Sequence, residues 1–178
     1  MALNLIKKYD SYLEINHLTQ NQRSLSLRGV FDRDISDNEK FHFNGKVIRP
    51  LKREDTIDVE SLFSHLTHKT EDVIDEAGVK VKKRDVFDFE RSKRLHWIWP
   101  HLNNKIGGIE IFSANVRIRG KDVIRTFIFN RIKDYIIILE PQRSGLDYYL
   151  ITAYYLEKSY GGAKPIKKML KRKLDQVY

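Results

Sequence analysis

Two short segments of the sequence contain side chains that could act together on a phosphate. In the run 91–99, Lys93 and His96 are three residues apart, so on a helix they would share one face. The neighbouring cations Arg91 and Arg94 should lower the pKa of the imidazole, because positive charge disfavours its protonated form. A neutral imidazole among cations is what a general base for a phosphate substrate requires. His96 is therefore the candidate base, and the alternative is an amphipathic helix with solvated cations.

The second segment is the run 148–155, which is rich in tyrosine. Thr152 and Tyr154 are two residues apart, so on a strand they would point to the same face, together with Tyr148 and Leu150. Taken alone, this pattern is that of an ordinary hydrophobic strand. Its combination with the basic helix favours a functional interpretation.

Hydrophobic periodicity indicates the elements that would position these residues. An apolar stripe predicts a helix from Thr56, with Asp55 as its N-cap and a possible extension toward Gly78. A second helix should begin near Asp88 and be limited by Pro100. Period-two alternation then predicts four strands, at 109–118, 123–130, 135–139 and 148–156, whose short links favour an antiparallel sheet. An amphipathic helix is predicted over 164–177.

The first fifty residues alternate like short strands. These strands are predicted at 11–16, 24–31 and 40–49, and Asn44-Gly45 is a hairpin signal inside the last. A module boundary is placed in the connector that follows. The predicted fold class is α+β, with helices on a four-stranded antiparallel sheet and a C-terminal amphipathic helix (54–178), plus a small β-rich N-terminal module (1–53).

A helix-borne Lys93-x-x-His96, four antiparallel strands and a late Thr152-Ala-Tyr154 together resemble the barnase/EndoU/colicin D/RelE-like ribonuclease superfamily. The likeness is closest to its phage-associated and colicin D-like members. It covers residues 56–178 and leaves the N-terminal segment unexplained. It implies cleavage of tRNA or mRNA without a metal or other cofactor, through attack by the 2′-OH and a 2′,3′-cyclic phosphate.

The resemblance also implies a role for each matched residue. His96 corresponds to the catalytic histidine, Lys93 to its basic partner, and Thr152 and Tyr154 to the late hydroxyl and aromatic. Arg94 would help to offset the charge on the phosphorane, as one of the additional basic residues of such helices. A toxin of this kind would need an inhibitor or immunity protein, which we expect to be acidic. Residues expected to bind or guide the RNA are Arg91, Arg117, Arg119, Arg125, Arg143 and Lys164.

The distribution of charge agrees with a polyanionic partner. The chain of 178 residues has a net charge of +9, and residues 111–178 account for +8 of it. Such a surface attracts nucleic acid by steering and counterion release. The alternatives are a nucleic-acid-binding module without catalysis and a phage or mobile-element interaction protein. A metalloenzyme using His65 and His68 is a weaker third.

Composition excludes several other classes. The chain contains no cysteine, which excludes a disulfide scaffold, a thiolate zinc site and a cysteine nucleophile. No apolar run approaches the roughly 20 residues of a membrane helix. The start of the sequence lacks the apolar length of a secretory signal. A soluble cytoplasmic protein that makes no contact with membranes is therefore the expectation.

Overall fold

The computed structural model describes residues 2–50, 52–53, 56–74, 76, 78–103, 106–142 and 144–178. The α-helices within these ranges are α1 Ala2–Leu5, α2 Gln20–Phe31, α3 Val59–Thr67, α4 Phe89–Ser92, α5 Ile98–Leu102 and α6 Lys164–Leu170. A π-helical turn, Asp32–Ser36, continues α2, and 3₁₀ turns lie at Leu95–Trp97 and Lys158–Tyr160. The strands are β1 His42–Phe43, β2 Lys46–Arg49, β3 Lys52–Arg53, β4 Thr56–Ile57, β5 His68–Ile74, β6 Lys80–Phe87, β7 Ile109–Ile118, β8 Lys121–Asn130, β9 Tyr135–Pro141 and β10 Asp147–Tyr155.

The main sheet has six strands in the order β1-β2-β10-β9-β8-β7, so the fold is α+β. The strands β7 to β10 occupy the predicted segments and pair antiparallel with their sequence neighbours. The sheet does not stop at four strands, because β2 adds to β10 in parallel over Asp147–Tyr149. The sheet is therefore mixed. Asn44 and Gly45 adopt positive φ angles of 49° and 72° in the turn between β1 and β2, which confirms the predicted hairpin.

The N-terminal segment differs from its prediction. Residues 24–31 form most of the helix α2, whose N-terminus has a capping box between Thr19 and Gln22. The Ser-Leu-Ser-Leu sequence at 24–27 alternates polar and apolar residues with the period of two that is typical of a strand, which led to the wrong prediction. Burial follows a helical spacing instead, because Leu27, Val30 and Phe31 are inside while Leu25 is 64% exposed. Residues 11–16 form no strand, although the Leu13 N–H donates to the carbonyl of Lys93 at 2.9 Å.

One hydrophobic core joins the two predicted parts of the chain. It fills the first face of the sheet, defined here as the face on which Ile137 and Leu150 lie. Leu13, Leu27 and Phe31 pack in the same core as Leu66, Trp97 and these two strand residues. The boundary expected between residues 53 and 54 therefore does not separate two cores.

The helices that precede the four strands are shorter than predicted. The helix α3 ends at Thr67, and the expected extension toward Gly78 is instead the hairpin β5–β6, since β-branched Val73 and Ile74 favour a strand. Asp55 lies outside the described residues. Asp58 caps α3 by accepting a hydrogen bond from the Ser61 N–H at 2.8 Å.

The predicted start of the next helix is confirmed, but its length is not. Asp88 caps α4 by accepting from the Arg91 N–H at 2.9 Å. The helix ends at Ser92, a 3₁₀ turn follows, and α5 then begins at Ile98. Pro100 lies within the first turn of α5, where a missing N–H costs little.

The second face of the sheet, opposite the first, is partly covered by α6. Ile166 is buried there against a cluster that includes Phe112 and Phe127. The helix ends at Leu170 rather than near Val177. The following chain makes a different contact, because the Leu174 N–H donates at 2.8 Å to the carbonyl of Ser113 on the edge strand β7.

Replacing Trp97 by alanine should destabilise the whole protein. Its side chain is 1% exposed and its indole N–H donates to the carbonyl of Ser11 at 2.9 Å. Loss of such an aromatic costs about 3–5 kcal/mol. Urea unfolding should show one cooperative transition shifted by that amount, whereas Leu146→Ala, at a position 73% exposed, should change the free energy of unfolding by less than about 0.5 kcal/mol. Two separate transitions in Trp97→Ala would contradict the shared core.

Candidate nucleic-acid interface

A β-bulge in β10 decides which of its side chains share a face. Leu150 lies opposite Leu139 and Thr152 lies opposite Ile138, so Ile151 is an extra residue in the ladder. Tyr148 and Leu150 therefore point into the core of the first face. After the bulge, Thr152 and Tyr154 point to the second face. The expectation that all four side chains share one face was wrong.

Arg91 reaches Tyr154 from α4, which packs against β10. Its guanidinium lies 5.4 Å from the centre of the Tyr154 ring, and it donates at 2.6 Å to the carbonyl of His65. Burial lowers the pKa of Arg91, with Asp88 opposing the shift. Burial also raises the pKa of Tyr154, so its hydroxyl stays protonated at neutral pH. The structure thus brings two predicted site residues into direct contact.

A cleft of about 300 Å³ lies beside this pair. Its walls include the rings of Tyr154 and Tyr155 and the apolar side chains of Pro165 and Ile166 from α6. The charged side chains at the cleft are Lys69, Asp88, Glu90, Arg91 and Glu157. Aromatic walls next to carboxylates that accept hydrogen bonds suit a flat ring bearing amino groups, such as a nucleobase.

A second polar group lies further along the same face. Arg125 on β8 lies 3.4 Å from the carboxylate of Glu140 on β9, and their side chains are 21% and 27% exposed. Tyr149 lies opposite Glu140 on β10. At the same end of β10, the Arg49 guanidinium pairs with Asp147 at 2.9 Å. Alternation along each strand directs these side chains to the second face.

Glu140 and Tyr149 are functional candidates that the sequence did not single out. Glu140 follows the wholly apolar run 135–139, and one carboxylate after a buried strand is the signal that could have identified it. Its partner across the sheet could not be known without the register. Arg125 was expected to guide RNA or to face inward, and it does lie on the face of Phe127 while remaining partly exposed.

The other predicted cations occupy different places. Arg117 is exposed on β7, and Arg119 is exposed in the β7–β8 turn with a φ of 48°. Lys164 is exposed at the start of α6, on the second-face side of the sheet. Arg143 lies outside the described residues. The exposed cations that continue along α6 and beyond it are Lys167, Lys168, Lys171, Arg172 and Lys173.

Lys93 and Arg94 turn toward the N-terminal segment rather than toward Thr152. Lys93 Nζ lies 2.5 Å from Glu90 Oε1 and 4.7 Å from the centre of the Tyr12 ring. Arg94 is almost fully buried, donates to both the carbonyl and the carboxylate of Glu90, and lies 4.3 Å from the centre of the Tyr155 ring. Both cations are therefore already engaged within the fold.

His96 lies apart from the other predicted catalytic residues. Because α4 ends before Lys93, these two side chains do not share a helix face. The His96 imidazole is 2% exposed, and neither of its ring nitrogens is reached by solvent. Burial lowers its pKa to about 4, hydrogen bonds with the backbone of Lys8 and Ser11 oppose the shift, and the charges of Arg33 and Lys7 add to it. The expected direction of the shift is found, but its main cause is burial, and both nitrogens are out of reach of a substrate in this conformation.

Among the residues that the structure describes, the other ionisable groups do not form a metal centre. His65 lies on α3 and His68 on β5, so they are not on one helix face. Within the described residues, no three His, Asp or Glu side chains are grouped so that they could hold a metal ion. The helices of these residues also include none long and apolar enough to cross a membrane.

The chain matches no protein-family model, no curated protein and no solved structure. Its resemblance to the ribonuclease superfamily therefore rests on Lys93, His96, Thr152 and Tyr154 and on the order of the elements around them. The geometry of the second face is the basis for the functional proposal below.

The buried imidazoles should make the protein less stable in acid. His96 and His101 both have pKa values of about 4 in the fold, against an ordinary value of 6.5. Between pH 6.5 and 4, these two histidines are therefore protonated in the unfolded chain but remain neutral in the folded protein. The free energy of unfolding should fall by up to about 1.4 kcal/mol per pH unit for each histidine as the pH drops through that window.

The variant His96→Leu isolates one of these contributions. It removes the buried imidazole together with its hydrogen bonds to the backbone of Lys8 and Ser11, so the comparison concerns how the free energy of unfolding changes with pH. Between pH 6.5 and 4.5 it should lose about 2 kcal/mol less than the wild type, measured by urea unfolding. Identical pH dependence in both proteins would show that the imidazole is not held neutral by burial.

Proposed function

We propose that the chain binds single-stranded RNA across the second face of its sheet and cleaves it without a metal ion. The observation that supports this most directly is the bulge after Leu150. It turns Thr152 and Tyr154 to the face that also bears Arg125 and Glu140. Aromatic rings, cations, a hydroxyl and a carboxylate then lie on the same face of the sheet, where α6 covers the apolar cluster around Ile136 and Phe127.

Base stacking is the proposed source of binding. Tyr154 lies opposite Ile136 and Tyr149 lies opposite Glu140, so the two rings are four residues apart along β9. That separation is about 13 Å at the rise of a strand. Sheets that bind RNA hold two or three bases on aromatic side chains at such positions. The cleft beside Tyr154 would hold the terminal base of this set, with Arg91 stacked on the tyrosine.

Electrostatic attraction is the second source. The buried side of α6 covers part of the second face, and its other side exposes Lys164, Lys167 and Lys168. These cations flank the proposed path of the RNA. They would raise the rate of association and make affinity strongly dependent on salt.

The proposed chemistry uses the nucleophile that RNA already contains. The 2′-oxygen attacks phosphorus, the bond to the 5′-oxygen breaks, and a 2′,3′-cyclic phosphate results. Glu140 would accept the 2′-OH proton, and water at this exposed surface would protonate the leaving oxygen. Arg125 would offset the charge of the phosphorane, because its 3.4 Å contact with Glu140 is long enough to rearrange onto a phosphate. Thr152 would donate a hydrogen bond to the phosphate.

A second candidate function is RNA binding without cleavage. The ion pair of Arg125 with Glu140 favours it, since the two groups are engaged with each other rather than with a phosphate and a 2′-OH. The two functions share the same surface, and product formation separates them.

Cleavage should depend on Glu140. Purified protein incubated with end-labelled tRNA or mRNA in excess EDTA should yield fragments ending in 2′,3′-cyclic phosphate. Glu140→Gln should lower the rate at least about 100-fold, because the amide cannot accept the proton. Glu60→Gln, at an exposed site on α3, and His96→Leu should both cleave at the wild-type rate.

Other outcomes are equally informative. A large loss of cleavage rate in His96→Leu, with no loss in Glu140→Gln, would identify His96 rather than Glu140 as the general base. Intact RNA in every reaction, with binding retained, would establish the second candidate function.

RNA affinity should depend on the Tyr154 ring. Loss of one stacked base costs about 1–3 kcal/mol, so Tyr154→Leu should weaken binding of a short single-stranded RNA about 5- to 150-fold. Fluorescence anisotropy measures this. The control is Tyr178→Leu, since Tyr178 contacts Ser113 and Thr126 through its backbone. Equal losses in both variants would argue against RNA on the second face.

A further inference from the structure

The helix α6 lies over the second face but buries little of its own surface. It has seven residues, of which Ile166 is buried, at 3% exposure, while Met169 and Leu170 are half-buried. Its remaining side chains are exposed. A helix of this length is not stable in water by itself. Its position on the sheet therefore depends on the segments that flank it.

The segment that follows α6 is residues 171–178, called the strap here. It turns around the outer edge of the sheet, where the Leu174 N–H donates to the carbonyl of Ser113 on β7 at 2.8 Å. Its side chains are exposed apart from that of Leu174, which is half-buried. The strap is therefore held by hydrogen bonds of its backbone rather than by apolar burial. Segments held in this way open locally at low free energy.

The far end of the strap is anchored on the first face by three buried hydroxyl groups. The Tyr178 N–H donates to Ser113 Oγ at 3.0 Å. The Tyr178 carbonyl oxygen accepts from the hydroxyls of Thr126 at 2.9 Å and Tyr148 at 2.5 Å. Ser113, Thr126 and Tyr148 are at most 1% exposed. These three hydroxyls, called the latch here, fix the strap and through it the end of α6.

Two adjacent glycines precede α6. Gly161 and Gly162 have φ angles of 89° and 55°, in the region that favours glycine. A Cβ atom on Gly161 would meet no other group within 4 Å, so close packing does not fix the chain at this point. Such positions can absorb the backbone rotation that a moving segment requires. The helix α6 is thus attached by a hinge at one end and by the latch at the other.

The surface under α6 is aromatic. The rings of Phe112 on β7 and Phe127 on β8 stack with their centres 5.0 Å apart and their planes at 12° to each other. They are 2% and 1% exposed, and they lie in the same cluster as Ile166 and Tyr154. Release of α6 would extend the aromatic surface from Tyr154 to the outer strands. Aromatic rings on a sheet bind the bases of single-stranded RNA by stacking.

We propose that α6 and the strap form an autoinhibitory lid over the second face, and this inference rests on the RNA binding proposed above. The lid is hinged at Gly161-Gly162 and closed by the hydrogen bonds between the latch and Tyr178. RNA shifts the equilibrium only if it binds the open state more tightly than the closed state. Stacking on the rings under α6 supplies that difference, because it is gained only when the lid is open. The exposed cations of α6 and the strap attract RNA in both states.

Two variants that weaken the latch should bind single-stranded RNA more tightly. Tyr148→Phe keeps the ring but removes the hydroxyl that donates to Tyr178. Leu174→Pro removes the N–H that donates to Ser113, at a position on the strap rather than in the core. Loss of one hydrogen bond shifts an equilibrium about 2- to 12-fold. Affinity measured by fluorescence anisotropy should rise by that factor in each variant, because it scales with the open fraction.

The matched control is Tyr9→Phe, which loses a hydrogen bond from Asn130 that is not part of the latch. Its RNA affinity should equal that of the wild type. Damage to the fold would weaken RNA binding, so a gain of affinity separates the release of the lid from misfolding.

Hydrogen exchange of the full chain reports on the lid without RNA. The peptide that covers the strap should exchange faster in Tyr148→Phe than in the wild type or in Tyr9→Phe. Addition of RNA to the wild type should also speed exchange of this peptide, whereas RNA bound on a closed lid would slow it.

Three results would overturn the lid. They are unchanged exchange of the strap in Tyr148→Phe, RNA affinity in both latch variants no higher than in Tyr9→Phe, and protection of the strap by RNA. Faster exchange in Tyr148→Phe with no RNA binding by any of the proteins would instead refute the proposed function, and the autoinhibitory role with it, while showing that the strap can be released.

Discussion

The extra residue in β10 is the constraint on which both faces of the sheet depend. Before the bulge, Tyr148 and Leu150 fill the core that joins the N-terminal segment to the helices. After it, Thr152 and Tyr154 face the other side, where α6 lies. A regular strand would have committed all four side chains to one face, because alternation has a period of two. One bulge therefore lets a single strand complete a core and present a polar surface.

Local patterns in the sequence were sufficient to predict the strands from Ile109 to Tyr155 and the hairpin at Asn44-Gly45, because alternation and turn residues act over a few positions. They could not reveal the parallel pairing of β2 with β10, which joins residues about a hundred positions apart. The helix α2 was missed because Ser-Leu-Ser-Leu imitates a strand locally. The helical conformation of that segment is stabilised by the packing of Leu27, Val30 and Phe31 in the core.

The candidate site was predictable in part for the same reason. Arg91 and Tyr154 are in contact, since the basic segment lies against β10. His96 does not join them, because α4 ends early and the N-terminal segment covers the next turn. The three-residue spacing of Lys93 and His96 places them on one face only if they lie on one continuous helix, and it gives no information on whether another segment covers that face. Arg125 with Glu140 could not be found without the register of β8 and β9.

Photo-cross-linking would show directly whether RNA lies across the second face of the sheet. A short single-stranded RNA containing 4-thiouridine would be cross-linked to the full chain, and the modified peptides mapped by mass spectrometry. We expect cross-links at Tyr149 and Tyr154. Cross-links confined to the β5–β6 hairpin or to the first-face side of the sheet, with Tyr149 and Tyr154 unmodified, would contradict binding across the second face.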